Sequence, residues 1–261
     1  MMRSILVYAD RGPSMEARLE TGLALARANG GHVTVLVDTP ITRYVAMDPM
    51  GGSYVASAAM QQALADDDAH AITLEERLGH DDVAFDLLRS EEEPLDALVA
   101  AAKLADVVIL SRSSALAGEL ALTARTPVLV LPDKCELAFP LKCACIAWDG
   151  GNEAALALRS AVPLLAGCEQ VHVLTVKEKP GGFPATDAVS YLSRHGIKAE
   201  LEEMGRVSST EETLGLAIAR CGGQLLVMGA YGKSRMREYL FGGVTQYFLE
   251  GCRKPALLLA H

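Results

Sequence analysis

Four glycines carry the clearest chemical signal in the chain. They fall as Gly229-x2-Gly232-x9-Gly242-Gly243, after the apolar run 224–229 and before a stretch that turns helical near Val244. Glycine lets backbone N–H groups approach phosphate oxygens closely, because no Cβ stands between them. A helix N-terminus adds unpaired donors and the positive end of a dipole. Lys233, Arg235 and Arg237 supply cations within the segment, and Thr245 supplies a hydroxyl. The segment reads as a phosphate cradle. A tight strand-to-helix turn with no ligand is the competing reading. Two commoner cradles fail: a Walker A loop ending in Gly232-Lys233-Ser234 needs glycine where Val227 stands, and Gly-x-Gly-x-x-Gly is absent.

Other chemistry-bearing residues are weaker signals. Asp149 follows an apolar run and precedes a helix, so it is either a ligand contact or a helix-N-terminal carboxylate. Tyr231 and Tyr239 serve packing as readily as a ligand. His172 alternates with apolar residues and reads as a satisfied core histidine. Cys143 and Cys145 share one face of a strand, a redox or metal pair in principle. No second Cys or His pair has zinc-ligand spacing, so core packing is the stronger reading for them. Asp66-Asp67-Asp68 reads as a solvated helix face rather than a metal site. No nucleophile elbow or metal-ligand cluster appears, so no catalytic residue is assigned.

These residues need a scaffold, and the sequence repeats one. Ile5–Asp10, a helix over about 14–29 and Val33–Val37 recur as Cys143–Asp149, a helix over about 152–166 and Val171–Val176. The two aspartates lie 139 residues apart. Each half closes alike, with 106–111 before Thr126–Leu131 and 224–229 before Lys254–Leu259. Near-continuous apolar runs are what parallel strands covered on both faces require. Their alternation with helices predicts an α/β fold of two doubly wound parallel sheets. A helix over 209–221 starts at a Ser208 or Ser209 cap and stops at Gly222-Gly223. Pro132–Leu141 is the linker, dividing a domain at 1–135 from one at 140–261.

The halves differ in two places. The first spends about 46 residues between its second and third strands against about 22 in the second, including a loop at 47–53. The second has 25 residues between Gly229 and Pro255, where the first has 15 between Ser111 and Pro127. Those extra residues hold the glycines.

Charge follows the same division. The chain carries a net charge of −9. Residues 1–139 hold 11 Lys and Arg against 21 Asp and Glu, a net of −10, whereas 140–261 hold 13 against 12. A polyanionic ligand prefers the second half, and nucleic acid is an unsuitable main partner. Apolar runs fall short of the ~18–20 residues of a membrane span, so no membrane partner is expected. Met1-Met2-Arg3 leads directly into a strand, which makes the cytoplasm the expected location.

The glycine spacing resembles the nucleotide motif of the universal stress proteins, Gly-x2-Gly-x9-Gly-(Ser/Thr). The strand ending at Trp148-Asp149, the Glu-Ala-Ala helix after it and Lys254–Leu258 are similar to that family's first strand, first helix and last strand. The likeness covers 140–261 well and 1–135 loosely. It implies a tandem member with two five-stranded sheets in the nucleotide-binding α/β hydrolase-like arrangement, packed as an internal pseudo-dimer through edge strands. It also implies ATP, with Mg2+ as companion ion, held by the second domain alone. Asp149 would contact adenine, with Ala147 and Trp148 nearby and a backbone contact at or near Val176. Met228, Gly229, Gly232, Gly242, Gly243, Val244 and Thr245 would hold ribose and phosphates. One departure is Gly243, where the family has Ser or Thr, which removes one hydroxyl donor. The first half keeps Asp10 but lacks the loop.

The resemblance implies a stress-response regulatory protein with weak ATPase activity at most, an unidentified protein partner, and room for a homodimer of pseudo-dimers. A nucleotide hydrolase or adenylyl-transfer enzyme, and a ligand-free interaction protein with an acidic recruiting half, are the alternatives.

Overall fold

Each half of the chain turns its apolar runs into five parallel strands with helices on both faces. The computed structural model describes residues 1–47, 53–55, 57–177, 183–230, 243–250 and 255–261. The first half runs β1 (Ser4–Tyr8), α1 (Met15–Asn29), β2 (His32–Asp38), the short β3 (Val45–Met47) and β4 (Ser53–Val55), and α2 (Ser57–Leu78). It continues with β5 (Ala84–Ser90), α3 (Pro94–Ala101), β6 (Val107–Ser111), α4 (Leu116–Thr123) and β7 (Val128–Leu131). The second half runs β8 (Cys143–Ala147), α5 (Asn152–Leu165), β9 (Gln170–Lys177), α6 (Ala185–Arg194) and β10 (Glu200–Gly205). It ends with α7 (Thr210–Cys221), β11 (Leu225–Gly229), α8 (Gly243–Glu250) and β12 (Ala256–Ala260). Of the loop expected at 47–53, residues 48–52 lie outside the described residues, and β3 and β4 flank them as an antiparallel ribbon.

The two five-stranded sheets are joined into one. Strand order is β10-β9-β8-β11-β12-β7-β6-β1-β2-β5, parallel within each half. The seam is antiparallel: Val128, Leu129 and Val130 of β7 face Leu259, Leu258 and Leu257 of β12. This is the pseudo-dimer packing expected from the edge strands. Pairing the edges satisfies backbone groups that two separate sheets would leave open.

Alternation along the strands feeds two apolar layers. Ile5, Val7, Ile146 and Val227 face α1, α2, α5 and α6, where they meet Leu19, Leu23, Leu158 and Leu192. Leu6, Leu110, Leu226 and Leu257 face the other four helices, meeting Leu98, Leu120, Leu214 and Phe248. Both layers run unbroken across the seam. The caps follow the sequence: Ser209 Oγ accepts the Glu212 N–H at 3.2 Å, and Gly222 ends α7 in the left-handed region at φ 67°. No helix among the described residues is long and apolar enough to cross a membrane.

Candidate functional site

Within each half the order 3-2-1-4-5 reverses direction between the first and fourth strands. At the carboxyl ends of those two strands the connections leave on opposite faces and open a crevice. In the second half this point lies between β8 and β11, where Ala147 is in register with Met228. Past β8, the Trp148 N–H donates to the Leu174 carbonyl at 2.8 Å. Asp149 is exposed, and its Oδ1 accepts the Gly151 N–H at 2.9 Å. Past β11, the Ala230 N–H donates to the Ala260 carbonyl at 2.8 Å. His261 Nδ1 lies 2.9 Å from the Ala230 oxygen, which ties the chain's last residue to the start of the glycine segment.

The expected site residues divide by face. Ala147, Val176, Met228 and Val244 pack into one apolar cluster on the α7–α8 side. Asp149 stands at the rim above it. Trp148 belongs to the opposite layer, only 5% exposed, so its indole is turned away from the other four. It holds the turn: Nε1 donates to the Phe183 carbonyl at 2.9 Å, while the Phe183 N–H donates to the Gly150 carbonyl at 3.2 Å. Sequence reasoning had no signal for this clasp, because Phe183 sits 35 residues away from Trp148.

Gly229 has a steric reason to be glycine. A Cβ there would stand 2.6 Å from Ala154 N and from Glu153 C, so the first turn of α5 rests on the end of β11. Gly243 opens α8 at the surface, and a Cβ there would meet nothing within 4 Å. Thr245 is buried. Gly232, Gly242, Lys233, Arg235, Arg237, Tyr231 and Tyr239 lie outside the described residues. The open space at Gly243 yields one expected outcome: Gly243→Ser fits without strain and places a hydroxyl at the helix N-terminus. A phosphate group held at that helix start would gain one hydrogen bond, worth roughly fivefold in affinity. Calorimetric titration of a phosphate-bearing ligand such as ATP into the two proteins checks it.

The matching crevice of the first half is built differently. Arg18, at 2% exposed, runs under it from α1. Its Nε donates to the Tyr8 carbonyl at 2.8 Å, one terminal nitrogen to Ser111 Oγ at 2.7 Å, and the other to Asp10. Strand registers equate Ser111 with Gly229 and Asp10 with Asp149, which puts Ala157 at the position of Arg18. Above Asp10, α2 closes the rim. His70 Nε2 lies 3.2 Å from the Ala9 carbonyl, and Arg11 reaches Asp66 at 3.3 Å and Asp67 at 3.2 Å.

Of Asp66–Asp68, expected as a solvated face, Asp66 and Asp68 are exposed and Asp67 departs from the expectation. Asp67 is buried and accepts from Thr39 Oγ1 at 2.7 Å, and Asp68 pairs with Arg89. Burial, with the nearby Asp38 carboxylate, raises the Tyr8 phenol, and burial, with Asp67 nearby, raises Asp38 itself. The rim is thus an acidic network paired with its own arginines.

Two smaller expectations change. His172 is not a satisfied core histidine: Nδ1 lies 3.8 Å from the exposed Glu200, and Nε2 is buried without a hydrogen-bond partner. Cys143 and Cys145 are buried in the core as expected, but Cys221 from α7 joins them, with its Sγ 3.3 Å from that of Cys145. Burial, followed by the neighbouring Cys221, pushes the Cys143 thiol up to about 12. Burial likewise raises Cys145.

Comparison with known proteins fits this architecture. Residues 1–132 match the model of the universal stress protein family. A universal stress protein from Archaeoglobus fulgidus DSM 4304 superposes with a TM-score of 0.72 at 12% identity, covering 98% of this chain and 96% of its own. A functionally unknown protein from Pseudomonas aeruginosa PAO1 gives 0.64 at 14% identity, covering 99% and 92%. At such identities the likeness is one of fold. No curated protein matches the chain.

Proposed function

Because the chain belongs to the universal stress protein family, we propose that it is a stress-response regulatory protein that binds ATP, with its Mg2+, in the crevice between β8 and β11. The observation that carries this reading is the contrast between the two crevices. Asp10 is engaged by a buried arginine, whereas Asp149 in the equivalent place is exposed and has alanine where that arginine would be. The second rim therefore differs from the first in lacking a buried arginine on its first helix, and Asp149 stands there at the solvent.

The residues fit an adenine nucleotide. Ala147, Val176, Met228 and Val244 give an apolar bed for a base, and Asp149 at its edge accepts from an exocyclic amine. Gly243 opens α8 with no side chain of its own over the helix's first N–H groups, which suits a phosphate there. In the first half, the Arg18–Asp10 pair and the α2 rim argue against a second nucleotide.

Two measurements test the proposal. Protein purified and then denatured releases about one ATP per chain. Asp149→Ala weakens ATP binding about tenfold to hundredfold, the range of a hydrogen bond to a charged group, while Asp10→Asn leaves it unchanged. Absence of any nucleotide, in the extract and by calorimetry, favours a ligand-free interaction protein. Equal losses in the two variants overturn the one-site assignment. ATP turnover abolished by Asp149→Ala moves the assignment to a hydrolase.

A further inference from the structure

We propose that Cys143, Cys145 and Cys221 form a sulfur-only site for a soft monovalent d10 cation, for which Cu(I) is the probe. The topology brings them together. Residues two apart on β8 point to the same face, and the last residue of α7 comes down onto that face. The three Sγ atoms all lie within 4.8 Å of one another, and the Cys145–Cys221 pair stands at 3.3 Å. A metal bonded to three sulfurs at ~2.3 Å sets them about 4 Å apart. The triangle therefore needs only small side-chain adjustments.

The donor set selects the ion. Thiolates favour Cu(I) and zinc, and Cu(I) alone of the two is content with three sulfurs. No fourth Asp, Glu or His among the described residues joins the group. Leu214, Ala217, Ile218 and Leu226 share the cluster's apolar layer, so the surroundings of the three sulfurs are mainly hydrocarbon. His172 is the one nearby nitrogen: it is in register with Cys145 on the neighbouring strand, yet falls outside the convergent group. Coordination is not a redox step. Copper remains Cu(I), and each sulfur that binds gives its proton to solvent.

A groove runs on the far side of Gly223 from the Cys145 sulfur. Ile218, Ala219, Gly222, Gly223 and Gln224 line one side of this open groove of about 570 Å³, and Cys221 is half-buried beside it. Gly223 is the thin part of the wall. A Cβ there would stand 2.9 Å from Cys145 Sγ, so any larger residue presses on the sulfur.

The test is anaerobic titration of the reduced full-length chain with Cu(I) against a competing chelator. One Cu(I) per chain is retained, and X-ray absorption finds sulfur neighbours alone. Cys145→Ala and Cys221→Ser each lower affinity at least hundredfold, whereas Cys135→Ser, Cys168→Ser and Cys252→Ser leave it unchanged. Cys221 is half-buried, so its serine variant keeps the test valid if Cys145→Ala fails to fold. Failure to retain Cu(I) overturns the proposal. So does retention that survives Cys221→Ser, or a preference for Zn(II) that His172→Ala removes.

Discussion

Replacing Arg18 with alanine lowers the stability of the first half by about 3 kcal/mol and leaves ATP binding where it was. The substitution removes three hydrogen bonds at once, to the Tyr8 carbonyl, Ser111 Oγ and the Asp10 carboxylate. Breaking a buried ion pair from one side costs about 3–5 kcal/mol, because the remaining partners lose their donor without gaining water. The Asp10 side chain is 33% exposed and recovers part of its hydration, which sets the effect at the lower end. The space vacated between α1 and the sheet adds a cavity cost. Arg18→Lys falls between, since an ammonium keeps the charge but cannot hold three directions with a planar fork. Urea unfolding with ATP absent measures the first effect, and calorimetry the second. A loss below about 1 kcal/mol would mean that the three bonds are replaced by water, and that the crevice is less closed than its geometry indicates.

Gly229→Val acts on the other half, lowering its stability and weakening the proposed ATP binding. The added carbons meet backbone atoms of Glu153 and Ala154, not the movable end of a side chain, so α5 itself must shift. Overpacking of this kind costs about 1–3 kcal/mol, and a rigid neighbour puts it near the top. A shift of the first turn of α5 carries Asp149 and Gly151 with it, because Asp149 Oδ1 holds the Gly151 N–H. ATP affinity therefore falls more than a hundredfold. The melting temperature drops by about 10 °C, as expected for ~3 kcal/mol in a chain of this size. A variant that folds normally and still binds ATP would separate the helix contact from the ligand crevice.

How much of this was legible depends on what each residue answers to. The repeat, the linker and the α7 caps could be read directly, because strand runs, prolines and a Ser-x-x-Glu signal act locally. The position of Asp149 just past β8 could be read as well. Arg18 could not: a charged residue on a helix reads as surface, and only the folded sheet brings Tyr8, Ser111 and Asp10 around it. Asp67 misled for the same reason, since its partners Thr39 and Arg11 are distant in sequence. Cys221 is 76 residues from Cys145, so a spacing rule for metal sites passes over the trio. The family model matches 1–132, the half that lacks the glycine spacing. Family likeness there lies in the strand-and-helix pattern, which persists without the glycines.

The antiparallel joint between β7 and β12 has a mechanical corollary. Strands that run one way in the first half run the opposite way in the second, so the two crevices open on opposite rims of the sheet. The molecule has two unlike poles: a sealed acidic one and one that offers Asp149. Whatever docks at one pole never meets what is held at the other. At the acidic pole the halves are tied together by a side chain as well: Arg112, leaving the end of β6, donates to the Pro255 carbonyl at the foot of β12.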